Sequence, residues 1–232
     1  MEGIRDELVH ELKKRGAALV GFADLFQVPA KARQEMPRAV SIAVALDRRI
    51  VGGIRNGPTK EYEGEYQRVN TVLAGLGETA AAIISGRGGQ AMPNAPTSEN
   101  FAADFRTPLP HKTAATRSGL GWIGKNALLI TGEFGSAVRL TSVLTDIPFA
   151  TDNPIDISHC GKCTTCHEVC PGKAPLGTNW ELGMDRDFFF SARTCLQVCD
   201  EVTGRAGLDI RTICGICINA CPWTGKYLKS SV

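Results

Sequence analysis

The first 159 residues contain no cysteine; all nine cysteines of the 232-residue chain fall between Cys160 and Cys221. That asymmetry separates a metal-bearing region from a cysteine-free one. Several other absences narrow the reading. Residues 1–15 lack the apolar stretch of a signal peptide and read as a charged amphipathic helix, which argues against a secreted disulfide protein. No run of about 18 apolar residues offers a membrane span. Lys plus Arg number 26 against 24 Asp plus Glu, so the net charge of +2 gives no concentrated basic face for nucleic acid. The expected compartment is the reducing cytoplasm, where closely spaced cysteines bind metal more often than they pair. What is present is ordinary for a globular protein, with 43% hydrophobic and 22% charged residues. The length suits one medium domain plus a small one.

Ile4, Leu8 and Leu12 recur at helical spacing, and Gly16 stops that helix. Two short apolar runs, 17–23 and 39–46, read as buried strands. From Lys60 to about Ile84, Tyr62, Tyr66, Val69, Leu73, Leu76, Ala80 and Ile83 trace one face of a long helix. A loop over 93–110 follows, then a helix over 111–118 and the glycine-punctuated turn from Gly119 to Gly124. Strands are expected over 127–131 and 137–145. The pattern predicts an α/β (α+β) layer domain over 1–150 and a cysteine module over 151–232, with 150–154 as the connection. His111-Lys112 either faces a ligand or forms a surface pair at a helix start.

Within the module, Cys160, Cys163, Cys166 and Cys170-Pro171 stand at intervals of three, three and four. This is the spacing of bacterial-type ferredoxins, where three cysteines hold one cubane and the fourth crosses to the other. Cys214, Cys217 and Cys221-Pro222 form a related second half, with Cys195 upstream. The expected ligand sets are Cys160, Cys163, Cys166 and Cys221 for one 4Fe-4S cluster, and Cys170, Cys195, Cys214 and Cys217 for the other. The alternative is a pair of zinc sites. Cys199 is expected as a buried free thiol, and His159 and His167 as solvent-facing spacers.

The run from Lys112 to Pro222 resembles the epoxyqueuosine reductases and, more distantly, the reductive dehalogenases. The resemblance is carried by Ser118-Gly-Leu-Gly-Trp-Ile-Gly-Lys-Asn126, Glu133-Phe-Gly-Ser136, Leu144-Thr-Asp-Ile-Pro148, Arg193-Thr-Cys195 and both cysteine sets. It implies a nitroreductase-like, cobalamin-binding α/β domain followed by a ferredoxin-like double-cluster module. By position, Gly121, Trp122, Gly124, Lys125, Asn126 and Ala127 would contact cobalamin, with Gly215 and Ile216 beside it. Glycines 119, 121 and 124 would admit a ligand closely, or else shape a tight turn.

Two departures qualify this. The family's Asp-Tyr-His proton-donor motif matches only Glu65-Tyr66-Gln67. Glu65 and Tyr66 become the catalytic candidates, the alternative being that Glu61, Glu63 and Glu65 favour a helix dipole. The chain also stops ten residues after Pro222, where the family continues into a region that helps hold tRNA, so tRNA is not an expected partner. The expected function is an iron–sulfur oxidoreductase that passes electrons through two 4Fe-4S clusters to cobalamin and reduces a small molecule. Its electrons would come from an external donor such as ferredoxin or flavodoxin. The alternatives are a carrier that reduces a corrinoid protein without an organic substrate, and a minimal epoxyqueuosine reductase.

Overall fold

A computed structural model describes residues 2–96 and 104–230. In chain order its elements are α1 (Glu2–Lys14), β1 (Leu19–Asp24), β2 (Arg38–Ala45), α2 (Arg48–Gly53), α3 (Lys60–Gly86), β3 (Ala91–Asn94), α4 (His111–Arg117), β4 (Trp122–Ile123), β5 (Leu129–Ile130) and β6 (Val138–Thr145). Then come α5 (Thr165–Val169), a single 3-10 turn (Arg186–Phe188), α6 (Ala192–Ala206), α7 (Ile216–Ala220) and α8 (Pro222–Lys229).

The chain does not divide at residue 150. It forms two units, one of residues 1–45, 69–121 and 139–155, the other of 46–68, 122–138 and 156–232. Sequence composition does not show that the early stretch 46–68 groups with the cysteine loops. Leu46 N–H donates to Ala137 O and Tyr227 Oη donates to Leu46 O, which ties three distant stretches into the second unit.

The first unit is built on a four-stranded sheet in the order β1-β2-β6-β3. β1 pairs antiparallel with β2, Leu19 opposite Ala43, and β3 pairs antiparallel with β6, Ala91 opposite Thr145. α1 buries Ile4, Leu8 and Leu12, and ends at Gly16, whose φ of +102° suits a residue without a Cβ. α3 buries Val69, Leu73, Leu76, Ala80 and Ile84, so Ile84 rather than Ile83 continues the stripe. By length and composition α3 is apolar enough to cross a membrane, contrary to expectation, because one acid alone, Glu78, interrupts its last 18 residues. One third of that window is buried inside the protein.

Three local expectations change. The loop over 93–110 begins as strand β3, which sequence pattern hides behind Pro93, and its residues 97–103 lie outside the described ones. Residues 150–155 are no free connection: Asp152 exchanges hydrogen bonds with Phe22, its carboxylate meets Arg5 at 2.8 Å, and Ile155 N–H donates to Thr116 O. His111 is buried rather than on the surface, with Nδ1 2.9 Å from Ser142 Oγ and Nε2 2.9 Å from Ala95 O.

The second unit holds the β4-β5 hairpin and the cysteine loops. β5 spans two residues of the five expected, since Gly124 N–H bonds to Leu128 O and Ala127 N–H to Gly124 O in a tight turn. α5 and α7 are short related helices, carrying Cys166 and Cys217, and each ends in a cysteine followed by proline. Pro222 does not merely turn the chain away: it occupies the first turn of α8, where its missing N–H costs nothing. α6 is capped by Ser191, which accepts from Thr194 N–H, and closes at left-handed Gly207.

Candidate functional site

Cys160, Cys163, Cys166 and Cys221 line one cavity of about 80 Å³, together with Lys125, Asn126, Ile130, Pro222 and Trp223. Two of these thiols come from the turn leading into α5, and Cys166 from its first turn. The fourth stands between α7 and α8 with extended backbone (φ −62°, ψ 127°), which aims it back at residues 160–166. Burial, reinforced by the charges of Cys160, Cys163 and Cys221, pushes the Cys166 thiol up to about 11. Burial also raises Cys221, against the opposing N–H groups of Thr224 and Trp223. Among the described residues, no three or more His, Cys, Asp or Glu side chains are arranged to hold a single metal ion. These four thiols surround a space instead of converging on a point.

Around Cys217 stand thiols of both expected sets. Burial first, then Cys195, Cys214, Cys166 and Cys170, push its thiol well above the usual range. Cys199 lies one turn after Cys195 on α6, is buried, and its thiol neighbours those of Cys195 and Cys214. Hydrogen bonding with Cys199 is the largest influence lowering Cys214, to about 7. The loop that delivers Cys214 is fixed from α3: buried Glu63 accepts the N–H groups of Asp209 (2.7 Å) and Ile210 (2.8 Å), which hold its carboxyl below the ordinary range together with Lys60. Arg211 ties the same loop to Asp200 of α6. Sequence reasoning missed Glu63, since its partners lie about 146 residues away.

The catalytic candidates are placed differently from expectation. Glu65 is buried, and both its oxygens are engaged: Oε1 accepts Asp47 N–H and Arg68 Nη2, Oε2 accepts Arg68 Nε, all at 2.7–2.8 Å. Asp47 in turn caps α2. The geometry therefore gives Glu65 a corner of backbone to hold. Tyr66 beside it is half-buried.

Residues expected at cobalamin are all buried. Most have protein partners that account for their type. A Cβ on Gly124 would stand 2.7 Å from Ile130, and one on Gly119 2.6 Å from Asn153 O, so these glycines admit protein, not a ligand. Gly215 has φ +84°, and a Cβ there would run into Ile54; Ile216 follows it in the first turn of α7. Asn126 Oδ1 accepts Leu128 N–H, and Ala127 is held at φ +58° in the hairpin turn. Lys125 Nζ donates to Gly161 O and Cys163 O. Trp122 stacks on His159 at 4.7 Å and meets Trp223 edge-on at 5.0 Å, while its buried Nε1 has no hydrogen-bond partner among the described residues. His159 is exposed, as expected, while His167 is half-buried with Nδ1 2.6 Å from Pro175 O.

No protein-family model matches the chain. Among curated proteins, an epoxyqueuosine reductase of Pseudomonas aeruginosa is 32% identical over 124 residues, half of this chain and 32% of that protein. One from Bacillus anthracis is 36% identical over 114 residues, 49% of this chain and 29% of that protein. The matched segments therefore span about a third of these relatives' length. Among solved structures, an epoxyqueuosine reductase from Bacillus subtilis superposes with a TM-score of 0.64 at 20% identity, covering 96% of this chain and 66% of that one. A catabolic reductive dehalogenase gives 0.66 at 20% identity, covering 90% and 30%. The chain is similar in sequence to epoxyqueuosine reductases and has the mixed α/β fold of reductases of both kinds.

Proposed function

We propose that this chain is an iron–sulfur oxidoreductase in which Cys160, Cys163, Cys166 and Cys221 hold one 4Fe-4S cluster, and Cys170, Cys195, Cys214 and Cys217 another. The observation that carries this reading is the first thiol cavity. Four cysteines from two distant parts of the chain line about 80 Å³ of space, several times the roughly 10–15 Å³ that one water needs. A polyatomic inorganic core suits that geometry better than a lone zinc ion, whose four ligands crowd within about 2.3 Å of it. When bound, such clusters take up and release single electrons. The chain's own residues position them: Cys221 brings α7 and α8 to the first set, Glu63 and Arg211 fix the approach to Cys214, and Cys199 neighbours two sulfurs of the second set. Nine free thiols suit the reducing cytoplasm.

Cobalamin as the electron acceptor is supported by likeness alone, one similar dehalogenase structure being described in terms of B12-dependent dehalogenation. Anaerobic reconstitution tests the central claim: about eight iron per chain are expected, and about four, or zinc, would overturn it. A base-off EPR signal on adding cob(II)alamin would support the acceptor, and absence of binding would remove it. If cobalt is reduced without turnover of any small molecule, the chain is a corrinoid-reducing carrier. A second reading, epoxyqueuosine reduction, is favoured by the names of the relatives and by a similar structure bound to an epoxyqueuosine-modified tRNA stem loop. Assay on such a stem loop decides it.

A further inference from the structure

Lys125 is 4% exposed, so its ammonium is withdrawn from water. Burying a charge is costly unless an opposite charge answers it. Its hydrogen-bond partners are two neutral carbonyls, Gly161 O and Cys163 O, each at 2.9 Å. No acid pairs with it among the described residues. An ammonium has three donors and a full charge, and two carbonyls satisfy neither completely. What remains beside it is the cavity that it lines with Cys160, Cys163, Cys166 and Cys221. The side chain is rigidly delivered there. It leaves the β4-β5 hairpin at a turn closed by Gly124 N–H to Leu128 O and by Ala127 in the left-handed region.

We infer that Lys125 is a fixed positive charge built for the first cluster, holding its 160–163 turn and raising its reduction potential. The inference rests on the two-cluster reading above. A 4Fe-4S core with four thiolate ligands is an anion and gains one more negative charge on reduction. A cation fixed at the rim of the cavity stabilises the reduced form more than the oxidised one, since Coulomb energy scales with the product of charges. One electron from a low-potential donor enters the cluster, and no bond forms or breaks. Lys125 is a positioning and tuning residue, acting on the cluster and not on a substrate.

The test compares wild type with Lys125→Met, Lys125→Gln and Lys125→Arg, all reconstituted anaerobically and titrated with dithionite under EPR. Met removes the charge and the hydrogen bonds, Gln keeps donors without charge, and Arg keeps the charge. The first-cluster reduction equilibrium should weaken about tenfold, roughly 59 mV for one electron, in both neutral variants, with the second signal unmoved and Arg near wild type. An unmoved midpoint in Lys125→Met with full iron overturns the inference. So does a shift that Gln restores, because hydrogen bonding would then suffice. If the neutral variants cannot retain the first cluster while Arg can, charge is again the requirement; loss in all three points to shape and overturns it. Wild type without iron would fail the two-cluster reading itself, a different outcome from a cluster whose potential ignores Lys125.

Discussion

Glu63 and Glu65 stand two residues apart on one helix, both buried, and each carboxylate holds backbone from elsewhere in the chain. Glu65 receives Asp47 N–H and a two-pronged contact from Arg68, whose side chain is 56% exposed. Water screens the guanidinium, so the pair itself contributes little, while the bond to the buried amide contributes about 1–2 kcal/mol. Glu65→Ala, which removes the acceptor of Asp47 N–H, should lower the melting temperature by about 2–4 °C per kcal/mol lost, with iron content unchanged. Calorimetry on reconstituted protein checks this. Lost turnover at unaltered stability would instead restore Glu65 as a proton donor. His111 gives a pH signature. Burial, its largest influence, holds its pKa below the ordinary 6.5, against the opposing bond to Ala95 O. The unfolded chain therefore binds a proton that the folded one refuses. This contribution is fully present above pH 6.5 and is lost as pH falls from there towards the folded pKa. Melts between pH 7.5 and 5.5 should show a decline in wild type that is shallower in His111→Gln. The Glu65-Tyr66 motif was legible in the sequence, but its task was not, because Asp47 lies 18 residues away.

Among the elements, what was legible followed local periodicity. Ile4, Leu8 and Leu12 named α1 correctly, and the cysteine intervals marked the two related segments that carry α5 and α7. Long-range pairing was not visible in that way. Lys125 reaches carbonyls 36 and 38 residues away, and β3 is a strand by virtue of its pairing with β6, despite Pro93. Helices α5 and α7 are five residues each, too short for periodicity to announce them. Their shared plan, one central cysteine and a terminal cysteine before proline, sets up an exchange in which Cys221 serves the thiols near α5. Cys221→Ser should therefore remove the first cluster, taking iron from about eight to about four per chain, with the second cluster's EPR signal retained. Cys199→Ala should keep all eight, since Cys199 stands outside both proposed ligand sets. Full iron in Cys221→Ser, or a lost cluster in Cys199→Ala, would reverse these assignments.

At the scale of the whole molecule, two units are each assembled from three separate stretches of chain, so neither can be cut out as one continuous segment. A metal core bound only by the folded chain should stabilise it by linkage. Removing iron with a chelator should lower the melting temperature of the native protein, and readdition of iron and sulfide should restore it; an unchanged melt would show that the thiol cavity folds without help. The junction of Cys160 with Cys221 carries a consequence for how the protein is made. A cluster spanning them closes a loop of about 60 residues, which limits the unfolded chain by roughly 4 kcal/mol. A ribosome adding about 5–20 residues per second presents the first three donors some 3–12 seconds before the fourth. Until α8 emerges, the first site can offer iron only three sulfurs. Metal loading thus becomes a record that synthesis has passed residue 221, and a chain broken off earlier would carry that defect as a missing cluster.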